Sequence, residues 1–180
     1  MLAQSNKLDS QFMAKDFKLL GIDNKYYSLS NIKGSRGTLI CFICNHCPYV
    51  KNIIHDLVKD TNELKDHGVS SIAIMPNDVE AYPKDSFDNM VLFSKNNSLN
   101  IPYLYDKKQS VAKAYNAVCT PDFYGFDNNL MLKYRGRINN SKMNYHSLFK
   151  RELFQAMVEV SKNKKVTNNI PSIGCSIKWK

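Results

Sequence analysis

Seven residues after Gly37, Thr38-Leu39-Ile40-Cys41-Phe42-Ile43-Cys44, form a nearly unbroken apolar run. A short run without polar alternation predicts a strand buried on both faces. Directly after it, Val50, Ile53, Ile54, Leu57, Val58 and Leu64 recur at helical spacing from Pro48 to about His67. Gly68 is the residue expected to end that helix, because glycine readily takes the left-handed conformation just past a C-terminus. Val69 to Met75 predicts a second buried strand. Phe87, Met90, Val91 and Ser94 mark another amphipathic helix, opening at Pro83-Lys84-Asp85.

The remaining pattern is shorter-ranged. Phe17-Lys18-Leu19-Leu20 and Tyr26-Tyr27-Ser28-Leu29 flank Asp23-Asn24 and predict a hairpin. Ile101 to Tyr105 predicts an extended piece, followed by a helix from Gln109 to Asn116. Asp122 to Phe126 and Leu130 to Tyr134, around Asp127-Asn128-Asn129, predict a second hairpin. Phe149, Leu153, Met157 and Val160 mark a closing helix. Strands alternating with helices, then a hairpin and a helix, predict an α/β fold: a central mixed β-sheet flanked by helices on both faces. No repeat, low-complexity tract or linker divides the chain, so residues 1–180 are expected to form one domain.

Composition narrows the function classes. Of 180 residues, 43% are hydrophobic and 23% charged, which excludes a disordered chain. No apolar run reaches the roughly 18 residues a membrane span needs. The start, Met1 to Asp9, has no apolar stretch of signal-peptide length, so a cytoplasmic address with reduced thiols is the expectation. The net charge of +9 does not point to nucleic acid, because the lysines are scattered. The densest group, Lys162-Asn163-Lys164-Lys165, falls where a helix ends and complements its dipole.

The five cysteines change the picture. An odd count argues against a fully paired disulfide framework, and Cys41, Cys44 and Cys47 crowd into seven residues. In a cytosolic protein such a cluster points to redox chemistry or metal. The strand running into the helix places cysteine at a helix N-terminus, where unpaired N–H groups and the positive dipole end favour thiolate. Pro48 decides which cysteine holds that position. Proline suits the first helical residue and pushes the preceding residue toward extended geometry, which makes Cys47 the cap. A cap at Cys44 would put Pro48 fourth, where its missing N–H costs a helical hydrogen bond. Cys47 is therefore the expected nucleophile.

Cys44, three residues upstream, is a candidate disulfide partner if the two Cα atoms lie within about 7 Å. His46 either stabilises the thiolate and shuttles a proton, or is a solvated loop histidine. Cys41 reads as a small buried hydrophobe within the strand.

The segment Phe42-Ile43-Cys44-Asn45-His46-Cys47-Pro48-Tyr49-Val50-Lys51 resembles the signature of peroxiredoxin-like redoxins of the thioredoxin superfamily, related to alkyl hydroperoxide reductase and thiol-specific antioxidant proteins. Asn77 to Pro83, Pro102 to Asp106, Cys119-Thr120-Pro121-Asp122-Phe123, Tyr134 to Ile138 and Gly174 to Lys180 agree with it in order. The resemblance implies a thioredoxin-like fold with a peroxiredoxin-type N-terminal hairpin and an inserted helix. It implies that Thr120-Pro121 is a cis-proline turn facing the active-site cysteine. Cys119, beside that turn, is either a packing residue or a third redox partner.

Two departures matter. The peroxidase pattern Pro-x-x-x-Thr/Ser-x-x-Cys would require proline and a hydroxyl at Ile40 and Cys44 counting from Cys47, or at Gly37 and Cys41 counting from Cys44. Neither register supplies them, so peroxide chemistry does not carry over whole. The second cysteine that thioredoxins carry three residues after the nucleophile is Val50 here.

Arg135 and Arg137 are candidate cations for the thiolate, or solvated surface. Cys175, between Gly174 and Ser176 and outside any predicted element, is either a mobile resolving cysteine or an idle thiol on a tail docked by Ile177 and Trp179.

The expected activity is thiol-disulfide oxidoreductase or antioxidant redoxin chemistry at Cys47, with Cys44 or Cys175 resolving. Its substrate would be a thiol or disulfide, in a protein or a small molecule. Thioredoxin or glutathione are candidate reductants, a homodimer is compatible, and no cofactor is required. Two other classes remain open: zinc or copper binding through Cys44, Cys47 and His46, and a thioredoxin-fold interaction module without chemistry.

Overall fold

The computed structural model describes residues 1–141 and 149–180. The chain begins with strand β1 (Leu2–Gln4), the hairpin β2 (Lys18–Gly21) and β3 (Tyr26–Ser28), and a single helical turn α1 (Leu29–Ile32). Then come β4 (Gly37–Phe42), α2 (Pro48–Leu64), β5 (Val69–Met75), α3 (Phe87–Asn96) and β6 (Tyr103–Tyr105). The order closes with α4 (Ser110–Ala114), β7 (Cys119–Thr120), β8 (Asp122–Phe126), β9 (Leu132–Gly136), α5 (Glu152–Ser161) and β10 (Ile173–Ser176). Both predicted hairpins, both buried strands and the helix from Pro48 are present. The helix expected to open at Pro83-Lys84-Asp85 begins instead at Phe87, because those three residues form a separate 3-10 turn and Ser86 caps α3.

Seven strands form one mixed sheet in the order β3-β2-β6-β5-β4-β8-β9. β5 pairs parallel with β4 and β6, and the other neighbours are antiparallel. All six residues of β4 are buried, as expected for a central strand covered on both faces. Period-two alternation splits them. Leu39 and Cys41 join a core with α2, α3 and α5, while Ile40 and Phe42 join a second core with α1 and α4. From α2, Val50, Ile53, Ile54, Leu57 and Leu64 enter the first core, each burial contributing about 1.5–3 kcal/mol before entropy is counted. A 3-10 turn, Lys65–His67, continues α2, and Gly68 ends it at φ +72°. Among the described residues no helix is long and apolar enough to cross a membrane.

One expectation is corrected. Cys175 does not sit outside regular structure: it lies in β10, the middle strand of a three-stranded antiparallel sheet β1-β10-β7. Within it, Leu2 pairs with Cys175, and Cys175 pairs with Thr120. The close approach needs a glycine, because a Cβ on Gly174 would lie 2.1 Å from the Thr120 carbonyl oxygen.

Candidate active site

β4 leads out of the sheet through Ile43, whose N–H still bonds the Ile74 carbonyl at 3.0 Å, into Cys44-Asn45-His46. Cys47 then takes the N-cap of α2 in extended geometry, with Pro48 as the first helical residue. The next structural neighbour is the Thr120-Pro121 turn, whose peptide bond is cis. Thr120 meets both cysteines: its hydroxyl lies 3.2 Å from the Cys44 sulfur, and its carbonyl lies 3.2 Å from the Cys47 sulfur.

Cys44 and Cys47 are both fully buried, and the titration of each thiol depends on the other. Such a pair shares one proton unevenly. The Cys44 thiol donates to Cys47, which with burial pushes Cys44 far above the usual thiol range. The same bond lowers Cys47 to about 5, against the opposing effect of burial. The Val50 N–H in the first turn of α2 and the Cys175 thiol lower it further. The Thr120 carbonyl opposes this, since it can only accept from a protonated Cys47. One weak S–H···O contact is outweighed by two thiol donors and a helix N-terminus.

Asp85 holds the cysteine loop in place, and sequence reasoning passed over it. The carboxylate is fully buried. Its Oδ1 accepts from the backbone N–H groups of Asn45 at 2.9 Å and His46 at 3.2 Å. Its Oδ2 accepts from Asn77 Nδ2 at 2.8 Å and meets His46 Nδ1 at 2.6 Å. His46 is therefore no solvated loop residue: its side chain is 21% exposed, and its ring stacks on Tyr82 at 5.7 Å. Asn45 adds a bond from Tyr103 Oη at 2.9 Å. The only local trace of this brace was Pro83-Lys84-Asp85, which reads simply as a helix opening.

The donor atoms of Cys44, His46 and Asp85 lie within 4.8 Å of one another, which meets the distance condition for a metal site. The Asp85 oxygens, however, already serve four hydrogen-bond partners. A tetrahedral site also needs four ligands, and this cluster supplies three. The arrangement is better explained as a loop brace.

The other candidates lie apart from this centre. Arg135 does not face Cys47. Its Nη2 bonds Asp122 at 3.0 Å and the Asn116 carbonyl at 2.9 Å, and its guanidinium stacks on Tyr124 at 4.4 Å. The reason is electrostatic: Asp122 is fully buried and needs a cation. Arg137 is committed in the same way to Glu152, at 2.6 and 3.0 Å. Cys41 and Cys119 are fully buried, and burial raises both thiols well above their ordinary value. Cys175 pairs with Thr120, whose carbonyl meets Cys47, packs against the core that holds Cys47, and retains some exposure.

Known proteins share this fold. The chain is 42% identical to an uncharacterized conserved protein from Geobacillus kaustophilus over 100% of this chain and 97% of that one, with a TM-score of 0.95. It is 36% identical to a hypothetical protein from Sinorhizobium meliloti, covering 98% of each chain at a TM-score of 0.93. The thioredoxin domain of a thiol-disulfide oxidoreductase from Bacteroides vulgatus is 17% identical, with 69% of this chain and 86% of that one covered at a TM-score of 0.59. That likeness shows a thioredoxin-like fold. No curated protein matches the chain. Residues 11–139, which span the cysteine loop, its Asp85 brace and the cis-proline turn, match the AhpC/TSA family, and the chain belongs to that family.

Proposed function

We propose that this protein is a thiol-disulfide oxidoreductase in which the Cys47 thiolate is the nucleophile and Cys44 closes the disulfide. The observation that carries the reading is the Cys47 sulfur at a helix N-terminus, with Thr120 of the cis-proline turn meeting both it and the Cys44 sulfur at 3.2 Å. In the reaction, a docking substrate displaces the strand that covers Cys47, whose thiolate attacks one sulfur of the substrate disulfide; the substrate S–S bond breaks and one thiolate is released. Cys44, deprotonated, then attacks the Cys47 sulfur. A Cys44–Cys47 disulfide forms, the second substrate thiolate leaves, and two electrons have passed to the substrate. His46 and Asp85, whose donor atoms lie within 4.8 Å of the Cys44 sulfur, are placed to take the Cys44 proton.

Peroxide reduction is not the favoured variant. The Thr120 hydroxyl faces the Cys44 sulfur and its carbonyl faces Cys47, so this hydroxyl does not orient a peroxide at the nucleophile. An external thiol, such as that of glutathione or thioredoxin, would return the pair to the dithiol state.

The test is turnover of a disulfide substrate with dithiothreitol as reductant. Cys47→Ser is expected to fall to the uncatalysed rate, while Cys44→Ser accumulates a mixed disulfide on Cys47 that mass spectrometry detects. Full turnover by Cys47→Ser would overturn the proposal.

A further inference from the structure

An exchanging pair has to meet its reductant, and this one is sealed. Cys44 and Cys47 are both 0% exposed, whereas Cys175 alone among the five cysteines keeps surface in solvent. β10 pairs with β7, which places Cys175 opposite Thr120, whose carbonyl lies 3.2 Å from the Cys47 sulfur, and Cys175 packs against the core that holds Cys47.

β10 is not a loose flap. It is paired on both edges, by β1 and β7. Beyond it, the N–H of the buried Ile177 bonds the Val118 carbonyl at 3.0 Å, and the Lys178 N–H bonds Asn77 Oδ1 at 2.9 Å. Gln109 Nε2 donates to the Lys178 carbonyl at 2.7 Å, and the Lys180 N–H donates to Gln109 Oε1 at 2.9 Å. Uncovering Cys47 breaks this set together, a cost that a docking substrate offsets with its own contacts and a small thiol such as glutathione does not. Passing through Cys175 breaks none of it.

Resting on the assignment of Cys44 and Cys47 as an exchanging pair, we propose that Cys175 is the port through which an external thiol reduces the sealed disulfide. The Cys175 thiolate attacks the Cys47 sulfur, the Cys44–Cys47 bond breaks, and Cys44 leaves as a thiolate that takes up a proton. An external thiolate next attacks the partly exposed Cys175 sulfur of the new Cys47–Cys175 bond, and Cys47 leaves as a thiolate. A second external thiolate attacks the outer sulfur of the resulting mixed disulfide, which restores Cys175 and releases the external disulfide. Two external thiols are oxidised, and the pair gains two electrons.

The first exchange expels Cys44, the poorer leaving group, and is drawn forward by proton uptake at that sulfur. The second expels Cys47, the good leaving group, because the helix N-terminus holds its negative charge. In the dithiol state, burial and the neighbouring Cys47 anion hold the Cys175 thiol up to about 11. In the disulfide state Cys47 carries no charge, so burial is the main effect still raising the Cys175 thiol, and Lys178 opposes it.

The experiment uses full-length protein oxidised with diamide, with the Cys44–Cys47 bond verified by mass mapping, and then reduced by glutathione. The wild type is expected to show a transient glutathione adduct on Cys175. Both Cys175→Ser and Cys175→Ala should slow reduction about tenfold or more, while circular dichroism shows the native fold. An unchanged rate in either folded variant, or an adduct on Cys44 or Cys47 in place of Cys175, would overturn the port and leave the exchange reading standing. If the wild type forms no Cys44–Cys47 disulfide, the exchange reading itself has failed and the port with it.

Discussion

Cys47 and Cys119 flank the same Thr120-Pro121 turn, and both are fully buried, yet their thiols are driven in opposite directions. Cys119 lies in strand β7 with its Sγ 3.6 Å from the Pro121 carbonyl, and burial beside Asp122 pushes it up. Cys47 suffers burial too, but the Cys44 thiol donor and the helix N-terminus bring it down to about 5. Burial alone therefore makes a cysteine inert, and reactivity comes from the donors aimed at the sulfur. The two buried aspartates near the turn differ in the same way. Asp122 is neutralised by Arg135 and stabilises the structure, whereas Asp85 meets backbone N–H groups and His46, and so shapes the loop that carries the chemistry.

The largest expected break in this comparison is Arg135→Met. It strands the buried Asp122 and should cost about 3–5 kcal/mol in denaturant unfolding. The thiolate titration of Cys47 should not move, and a shift toward 9 would mean Arg135 serves the nucleophile after all. Asp85→Asn comes next. It removes charge-assisted bonds to a buried loop and should cost about 2–3 kcal/mol, with slower exchange because the cysteine loop loses its brace. Unchanged stability and rate would dismiss the brace. Cys119→Ala is the smallest, at about 1 kcal/mol from lost packing, with exchange kept near the wild-type rate. A large loss of exchange would make Cys119 a redox partner.

Much of this was legible in the chain. Val69 to Met75 is the observed β5, and Pro48 correctly marks both the start of α2 and the cap at Cys47. These are local signals, carried by a continuous apolar run and by the missing N–H of proline. The sheet β1-β10-β7 was illegible for the opposite reason. Its strands are two to four residues long, too short to show alternation, and β1 and β10 come from opposite ends of the chain. Asp85 and Arg135 mislead for a related reason, since an ionised side chain takes its role from partners that only the fold supplies. In sequence, Asp85 resembles a helix-opening residue and Arg135 a hairpin cation.

The central claim is that Cys47 is a thiolate near neutral pH because the Cys44 thiol and the first turn of α2 favour its charge. It is tested most directly by ultraviolet thiolate absorbance against pH, on fully reduced wild type and Cys47→Ser, with the difference assigned to Cys47. A transition at about 5 is the predicted result. A transition near the free-thiol value of about 8.5 would contradict the account, since the donors around the sulfur would then do no more than offset its burial.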